Sequence, residues 1–256
     1  MIRKHIPNTI TCCNLLSGCA AVYMAAQQQY AAAFLLILLG AFFDFFDGMS
    51  ARLLGVSNPI GKEMDSLADV ITFGLAPGMA AASFLRPVVG WWALLSLLMV
   101  AFSALRLAKF NLDERQTTSF LGLATPPNAI FWASLTAFLH AVGYAPLWLG
   151  IVLVGYSFLS CWLLVSEIPF FSLKFHNLAW ADNRLRYVFI IGSVVLVFAL
   201  AVCAAEVDPA ILLATGAVVI FWYVLLALCT ARTARTARTS RTSRTGRTTH
   251  APKETR

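Results

Sequence analysis

The sequence predicts an all-α polytopic membrane bundle of about eight transmembrane helices, and three observations carry that prediction. The 256 residues are 59% hydrophobic and only 12% charged, too apolar for a soluble domain. The apolar residues fall into runs close to the roughly 20 residues that cross a bilayer core, separated by short polar or Gly/Pro-containing turns. A reading with eight helices also places 18 of the 19 Lys and Arg residues on one side, with only Arg86 opposite. By the positive-inside rule that side is cytoplasmic, and it holds both termini.

A short basic start, Met1 to His5, precedes the first helix, Ile6 to Ala26. Asn8, Thr11, Asn14, Ser17 and Gly18 make this segment too polar for the apolar stretch of a secretory signal. Thr11, Asn14 and Gly18 share one helical face. That stripe either lines a substrate cavity or packs helix against helix through small and polar residues. Gln27 to Gln29 forms an outer turn, and Tyr30 to about Leu54 is the second helix. Gly55, Ser57, Asn58 and Pro59 turn the chain into the third, Gly61 to Phe84. Arg86-Pro87 is expected to reverse it into the fourth, Val88 to about Leu107. A polar segment from Lys109 to Thr118 and a Gly/Pro stretch from Gly122 to Pro127 lead to the fifth, Asn128 to Val142. After a turn at Gly143 to Pro146 come the sixth (Leu147 to Val165), seventh (Arg186 to Ala205) and eighth (Pro209 to Leu228).

Two domains follow: an integral-membrane domain over 1–229 and a basic tail over 230–256. The tail places Arg at 232, 235, 238, 241, 244 and 247, a period of three that drifts around a helix, and its Thr and Ser disfavour one. Disorder is expected there, with the tail either attracted to anionic headgroups or simply solvated. The tail also accounts for the whole formal charge of +7, so the body gives no case for nucleic-acid binding. Cys12, Cys13, Cys19, Cys161, Cys203 and Cys229 sit in apolar runs without metal-binding spacing and are expected to be small buried hydrophobes.

Against this apolar background stand four aspartates: Asp44, Asp47, Asp65 and Asp69. Asp44 and Asp47 are three apart and Asp65 and Asp69 four apart, so each pair projects from one helix face. Antiparallel return of the two helices brings the pairs together. Like charges and desolvation both oppose ionisation of such a cluster, and bound divalent cations are the simplest remedy. Oxygen ligands of this kind suit Mg²⁺ or Mn²⁺. A proton relay in a cation-coupled transporter is the other class to weigh. It would call for ionisable residues at mid-membrane depth in several helices and an internal repeat. Here the carboxylates gather at one end.

The spacing Asp44-x2-Asp47-Gly48-x2-Ala51-Arg52, eight residues, then Gly61-x3-Asp65-x3-Asp69 resembles the signature of the CDP-alcohol phosphatidyltransferase family at every fixed position. The resemblance implies transfer of a phosphatidyl group from a CDP-linked lipid to an alcohol, with release of CMP. It implies two Mg²⁺ or Mn²⁺ ions held by Asp44, Asp47, Asp65 and Asp69, the first three as the main ligands and Asp69 acting also as general base. Gly48, Ala51, Arg52 and Gly61, with Thr11 and Asn14 of the first helix, are the expected contacts to CDP-diacylglycerol. A homodimer in the cytoplasmic (inner) membrane, its site facing the cytoplasm, is the expected assembly.

Four further segments resemble the phosphatidylserine synthase branch of that family. They are Pro7-Asn8 through Gly18, Leu105-Arg106-Leu-Ala-Lys109-Phe-Asn111, Gly122-Leu-Ala-Thr-Pro126 and Leu164-Val-Ser-Glu-Ile-Pro169. L-Serine is therefore the expected acceptor, with glycerol-3-phosphate or an inositol phosphate as runners-up that would need more cations than the body supplies. Arg106 and Lys109 are expected to hold the serine carboxylate and Asn128 to orient its ammonium.

Overall fold

The computed structural model describes residues 5–56, 59–112, 120–171 and 180–230. Apart from one two-stranded contact of two residues per strand, the regular structure among these residues is helical. The tail beyond 230, the start at 1–4, Ser57-Asn58, most of the polar segment after Lys109 and Lys174 lie outside the described residues.

Helix α1 (Ile6–Ala26) starts with Pro7 in its first turn, where the missing N–H costs nothing. Its buried residues run Pro7, Thr11, Asn14, Ser17, Gly18, Ala21 and Ala25, so the small and polar stripe faces the protein. Gln28, at φ 61°, turns the chain into α2 (Tyr30–Leu53). This helix buries Ala33, Ile37, Gly40 and Asp47 and leaves Leu35, Leu39, Phe42 and Phe45 exposed, as suits a surface that meets lipid.

The next helical run, Pro59–Leu112, is 54 residues long. A straight helix of that length would measure about 80 Å, more than twice a bilayer core. It doubles back instead. Helix α3 (Pro59–Asp69) passes through a π-helical turn, Val70–Leu75, into α4 (Ala76–Val89). Pro77 has no N–H to offer the Phe73 carbonyl, and the ladder just before it takes the wider i→i−5 register, with Ala76 donating to Ile71.

The reversal was expected at Arg86-Pro87. Pro87 lies inside the last turn of α4 instead, and Gly90 makes the turn at φ 63°, a conformation that a side chain disfavours. A 3-10 stretch, Gly90–Leu97, then leads to α5 (Leu98–Leu112), which carries Lys109 and Asn111 as helical residues. Ser103 and Val100 of α5 pack against Gly74, and Val100 and Leu97 against Gly78. This seam of small residues lets the two arms approach closely.

Strand β1 (Phe120–Leu121) pairs antiparallel with β2 (Pro169–Phe170). Gly122, at φ 75°, follows β1 and donates to the Ile168 carbonyl at 2.9 Å. Helix α6 (Thr125–Ala141) begins three residues earlier than expected, since Pro126 and Pro127 suit its first turn. Trp132 of α6 is fully buried and donates to Ser160 of α7 (Leu147–Val165) at 3.0 Å. Helix α8 (Trp180–Glu206) is non-helical at Asn183, and a 3-10 turn, Pro209–Ala214, capped by Asp208, enters α9 (215–230). Ser134 of α6 reaches into this last junction, donating to the Leu213 carbonyl at 2.5 Å and accepting from the Ala217 N–H at 2.8 Å.

Among the described residues six helical runs are long and apolar enough to cross a membrane, counting the doubled 54-residue run once; α6 has 17 residues. The cysteines differ from expectation. Only Cys161 is buried, Cys13 is half-buried, and Cys12, Cys19, Cys203 and Cys229 face outward. In a membrane protein the outward face is also apolar, so a small apolar side chain has no preference for the core.

The three N-terminal elements meet at Thr72, which is fully buried. A Cβ on Gly18 would lie 2.8 Å from the Thr72 Cα, and a Cβ on Gly40 would run into the Thr72 methyl. Gly18→Ala should therefore cost about 1–3 kcal/mol of stability, read as earlier unfolding in detergent. Gly155→Ala, where nothing lies within 4 Å, should leave stability unchanged or slightly higher.

Candidate active site

The helix period puts Asp44 and Asp47 on one face of α2, and Asp65 and Asp69 on one face of α3. The α2–α3 turn returns the second pair beside the first. One oxygen from each of Asp44, Asp47 and Asp65 lies within 4.8 Å of the others. Asp47 is held from α1 by the Thr11 hydroxyl, which donates to Oδ2 at 2.7 Å. Asp69 is 8% exposed and accepts from the Asn14 side-chain amide at 3.2 Å. The structure thus brings three of the four aspartates together, a set that could hold a cation, and hydrogen-bonds the fourth to α1.

The three-carboxylate set suits a hard divalent cation. It is all oxygen, its negative charge is concentrated in an apolar body, and Asp65 Oδ1 is buried without a hydrogen-bond partner.

A cleft of about 240 Å³ opens over this set. Of the residues expected to contact the CDP-lipid, Thr11, Gly48, Ala51 and Gly61 line it, together with Asp47 and Asp65. Gly48 is not demanded by packing, because a Cβ there would meet nothing within 4 Å. Its missing side chain keeps the cleft wall open. Arg52 is exposed in the last turn of α2. Asn14 lies behind the wall, fully buried.

Among the expected acceptor residues, Arg106 is 8% exposed, and its Nε has no hydrogen-bond partner among the described residues. Asp69 and Tyr223 both act on it electrostatically. Lys109 is exposed one turn further along α5. Asn128 is buried, with its amide nitrogen 3.9 Å from the Met99 sulfur, so its side chain is engaged in the core.

Three residues were not singled out by sequence. Lys62 lines the cleft, its ammonium donating to the Asn111 carbonyl at 3.3 Å, while Asn111 donates to Ser66 at 2.8 Å. Its place between Gly61 and Asp65 was the available signal. Thr72 and Tyr223 had none, being single polar groups in apolar runs.

The sequence model of the family described as CDP-alcohol phosphatidyltransferase matches residues 4–166. The chain belongs to this family. Membership carries a CDP-alcohol donor, an alcohol acceptor and a membrane setting, and divalent-metal dependence is general in it. A Bacillus subtilis protein named CDP-diacylglycerol–serine O-phosphatidyltransferase is 35% identical over 176 residues, covering 68% of this chain and 93% of that protein. A Mycobacterium leprae protein of the same name is 32% identical over 215 residues, covering 78% of this chain and 67% of its own. For a Helicobacter pylori protein so named, identity is 35% over 127 residues, and the match spans 54% of its length.

Gly48 gives a test of the cleft wall. Gly48→Ala should keep or slightly raise stability, since Ala is favoured over Gly within a helix by about 0.5–1 kcal/mol. It should weaken CMP binding by roughly tenfold, about 1.4 kcal/mol. Thermal unfolding and CMP titration on one detergent preparation read both effects.

Proposed function

We propose that this chain is a CDP-diacylglycerol–serine O-phosphatidyltransferase: it transfers the phosphatidyl group of CDP-diacylglycerol to the hydroxyl of L-serine and releases CMP. The observation that carries the chemistry is the convergence of the motif carboxylates at one end of α2 and α3, beneath a cleft walled by the motif glycines. The acceptor follows from the relatives, which carry the serine enzyme's name.

Asp44, Asp47 and Asp65, together with Asp69, are the residues that would hold Mg²⁺ or Mn²⁺, in two sites as the resemblance implies. A bound divalent ion supplies neutralisation of the pyrophosphate charge. The residues of the chain do the rest. Asp69 accepts the proton of the serine hydroxyl as its oxygen bonds to the phosphatidyl phosphorus. The bond from that phosphorus to the CMP oxygen breaks, and CMP leaves with the electron pair. Gly48, Ala51 and Gly61 leave room for the nucleotide, and Thr11 steadies Asp47. Arg52, exposed in the last turn of α2, is assigned to phosphate. Arg106 pairs with the serine carboxylate, the anion its unpartnered Nε lacks. Lys109 assists from the helix end, and Asn128 orients the ammonium.

The reading includes eight membrane spans, with the doubled run counted as two and both termini cytoplasmic, so that soluble serine and CMP reach the cleft from the cytoplasm. It also includes a homodimer in the cytoplasmic membrane.

Two experiments test it. CMP release from CDP-diacylglycerol in detergent should be fastest with L-serine among serine, glycerol-3-phosphate and inositol phosphate; faster release with glycerol-3-phosphate would sink the acceptor assignment. Asp69→Asn should lower turnover by about 10²–10⁴-fold while CDP-lipid binding is kept. Asp44→Asn should weaken metal and nucleotide binding together. If excess Mn²⁺ returns Asp69→Asn to near wild-type turnover, Asp69 is a ligand and not the base.

A further inference from the structure

We propose that Lys62 binds the phosphate of CMP: its ammonium meets the charge that gathers on the nucleotide as CMP leaves. The inference rests on the reading of the cleft as the seat of the CDP-lipid.

The donor is an anion, and the cleft that receives it is acidic. Of the described residues that line it, Asp47 and Asp65 carry negative charge and Lys62 alone carries positive charge. Arg52, the cation of the aspartate motif, is not among them. Lys62 and Asp65 are three apart on α3 and share a face, with Lys62 one turn nearer the start of the helix. On the topology proposed above, α3 starts at the cytoplasmic rim and runs inward. A CDP-lipid spans the same boundary. Its acyl chains hold one phosphate on the bilayer side, and the polar cytidine draws the other toward water. A side chain one turn outward from Asp65 therefore meets the cytidine-side phosphate, the one that leaves as CMP.

The ammonium has donors to give. Lysine carries three N–H bonds, and the one hydrogen bond made here goes to the Asn111 carbonyl at 3.3 Å, long for an N–H···O contact. This contact keeps a flexible side chain at the rim of the cleft. Asn111 is fixed in turn by donating to the Ser66 hydroxyl at 2.8 Å, and Ser66 donates back to the Lys62 carbonyl at 3.3 Å. A charged phosphate is a stronger partner than a neutral carbonyl, so a bound nucleotide draws the ammonium to itself.

The chemistry gives that contact a use. As the serine oxygen bonds to the phosphatidyl phosphorus, the bond from that phosphorus to the bridging oxygen breaks. The electron pair stays on the bridging oxygen, which becomes a terminal oxygen of the CMP phosphate with one more negative charge. The serine proton passes to Asp69. Lys62 keeps its own proton and meets the new charge by a hydrogen bond that strengthens as the bond breaks.

The test uses the full chain in detergent at one fixed Mg²⁺ concentration, with CMP and cytidine as paired ligands. Lys62→Met should weaken CMP binding about 10–100-fold, the range for a hydrogen bond to a charged group. Cytidine, which has no phosphate, should stay within about twofold of wild type in the same variant. Lys62→Arg keeps the charge and should recover most of the CMP affinity. Turnover of Lys62→Met should fall about tenfold with KM for serine unchanged. Ser66→Ala removes the clasp to Asn111 without altering a cleft-lining residue, and its CMP affinity should match wild type. Equal losses for CMP and cytidine in Lys62→Met would mean a distorted cleft and overturn the proposal. So would a Ser66→Ala variant that reproduces the CMP loss, or a raised KM for serine at intact CMP affinity, which would give Lys62 to the acceptor. Lys62→Gln serves if the methionine variant does not fold. The two readings fail separately. A wild-type chain that binds no CMP removes the cleft as the nucleotide site; unchanged CMP affinity in Lys62→Met beside a wild type that binds CMP removes only the role of Lys62.

Discussion

The site depends on the close approach of three backbones around Thr72. A fully buried threonine on the π turn occupies the space that side chains on Gly18 and Gly40 would need, and its hydroxyl holds the Asn14 carbonyl. This contact sets how deeply α1, α2 and the α3–α4 run interlock. The depth in turn sets which side chains of α1 meet the aspartates. With α1 shifted by one residue, Thr11 and Asn14 would rotate by about 100° and reach neither carboxylate. The wider register of the π turn is therefore part of the site, although no residue in it touches the cleft.

Charge imposes the second constraint. Four carboxylates in an apolar body repel one another. Three converge, and Asp65 Oδ1 is buried there without a hydrogen-bond partner. The fourth accepts a hydrogen bond from a neutral amide, Asn14. Arg106, buried and acted on electrostatically by both Tyr223 and Asp69, supplies positive charge to the fourth carboxylate. Tyr223 is fixed in turn by donating to the Phe171 carbonyl at 3.1 Å and by rings packed from Phe170, Phe171 and Phe189. These residues lie beyond the 4–166 matched by the family, so the common core is supported by a part of the chain outside that match.

The sequence by itself determined the class of the protein and the composition of the site. Hydropathy marks the apolar runs, and helical spacing is a local property, so the pairing of Asp44 with Asp47 and of Asp65 with Asp69 on single faces needs no knowledge of the fold. Eight fixed positions at fixed spacing likewise pointed to the family without coordinates. Only the tertiary structure decided that three aspartates group while Asp69 joins Asn14, that Gly48 is open where Gly18 and Gly40 are packed, and that Gly90 rather than Pro87 turns the chain. The reason is physical. In a membrane chain both faces of a helix are apolar, one toward lipid and one toward protein, so the pattern that orients helices in soluble proteins is missing. Which face turns inward depends on contacts between residues far apart in sequence, such as the 58 that separate Thr72 from Asn14. Those contacts are set by how closely helices can approach, and local spacing carries no record of that distance.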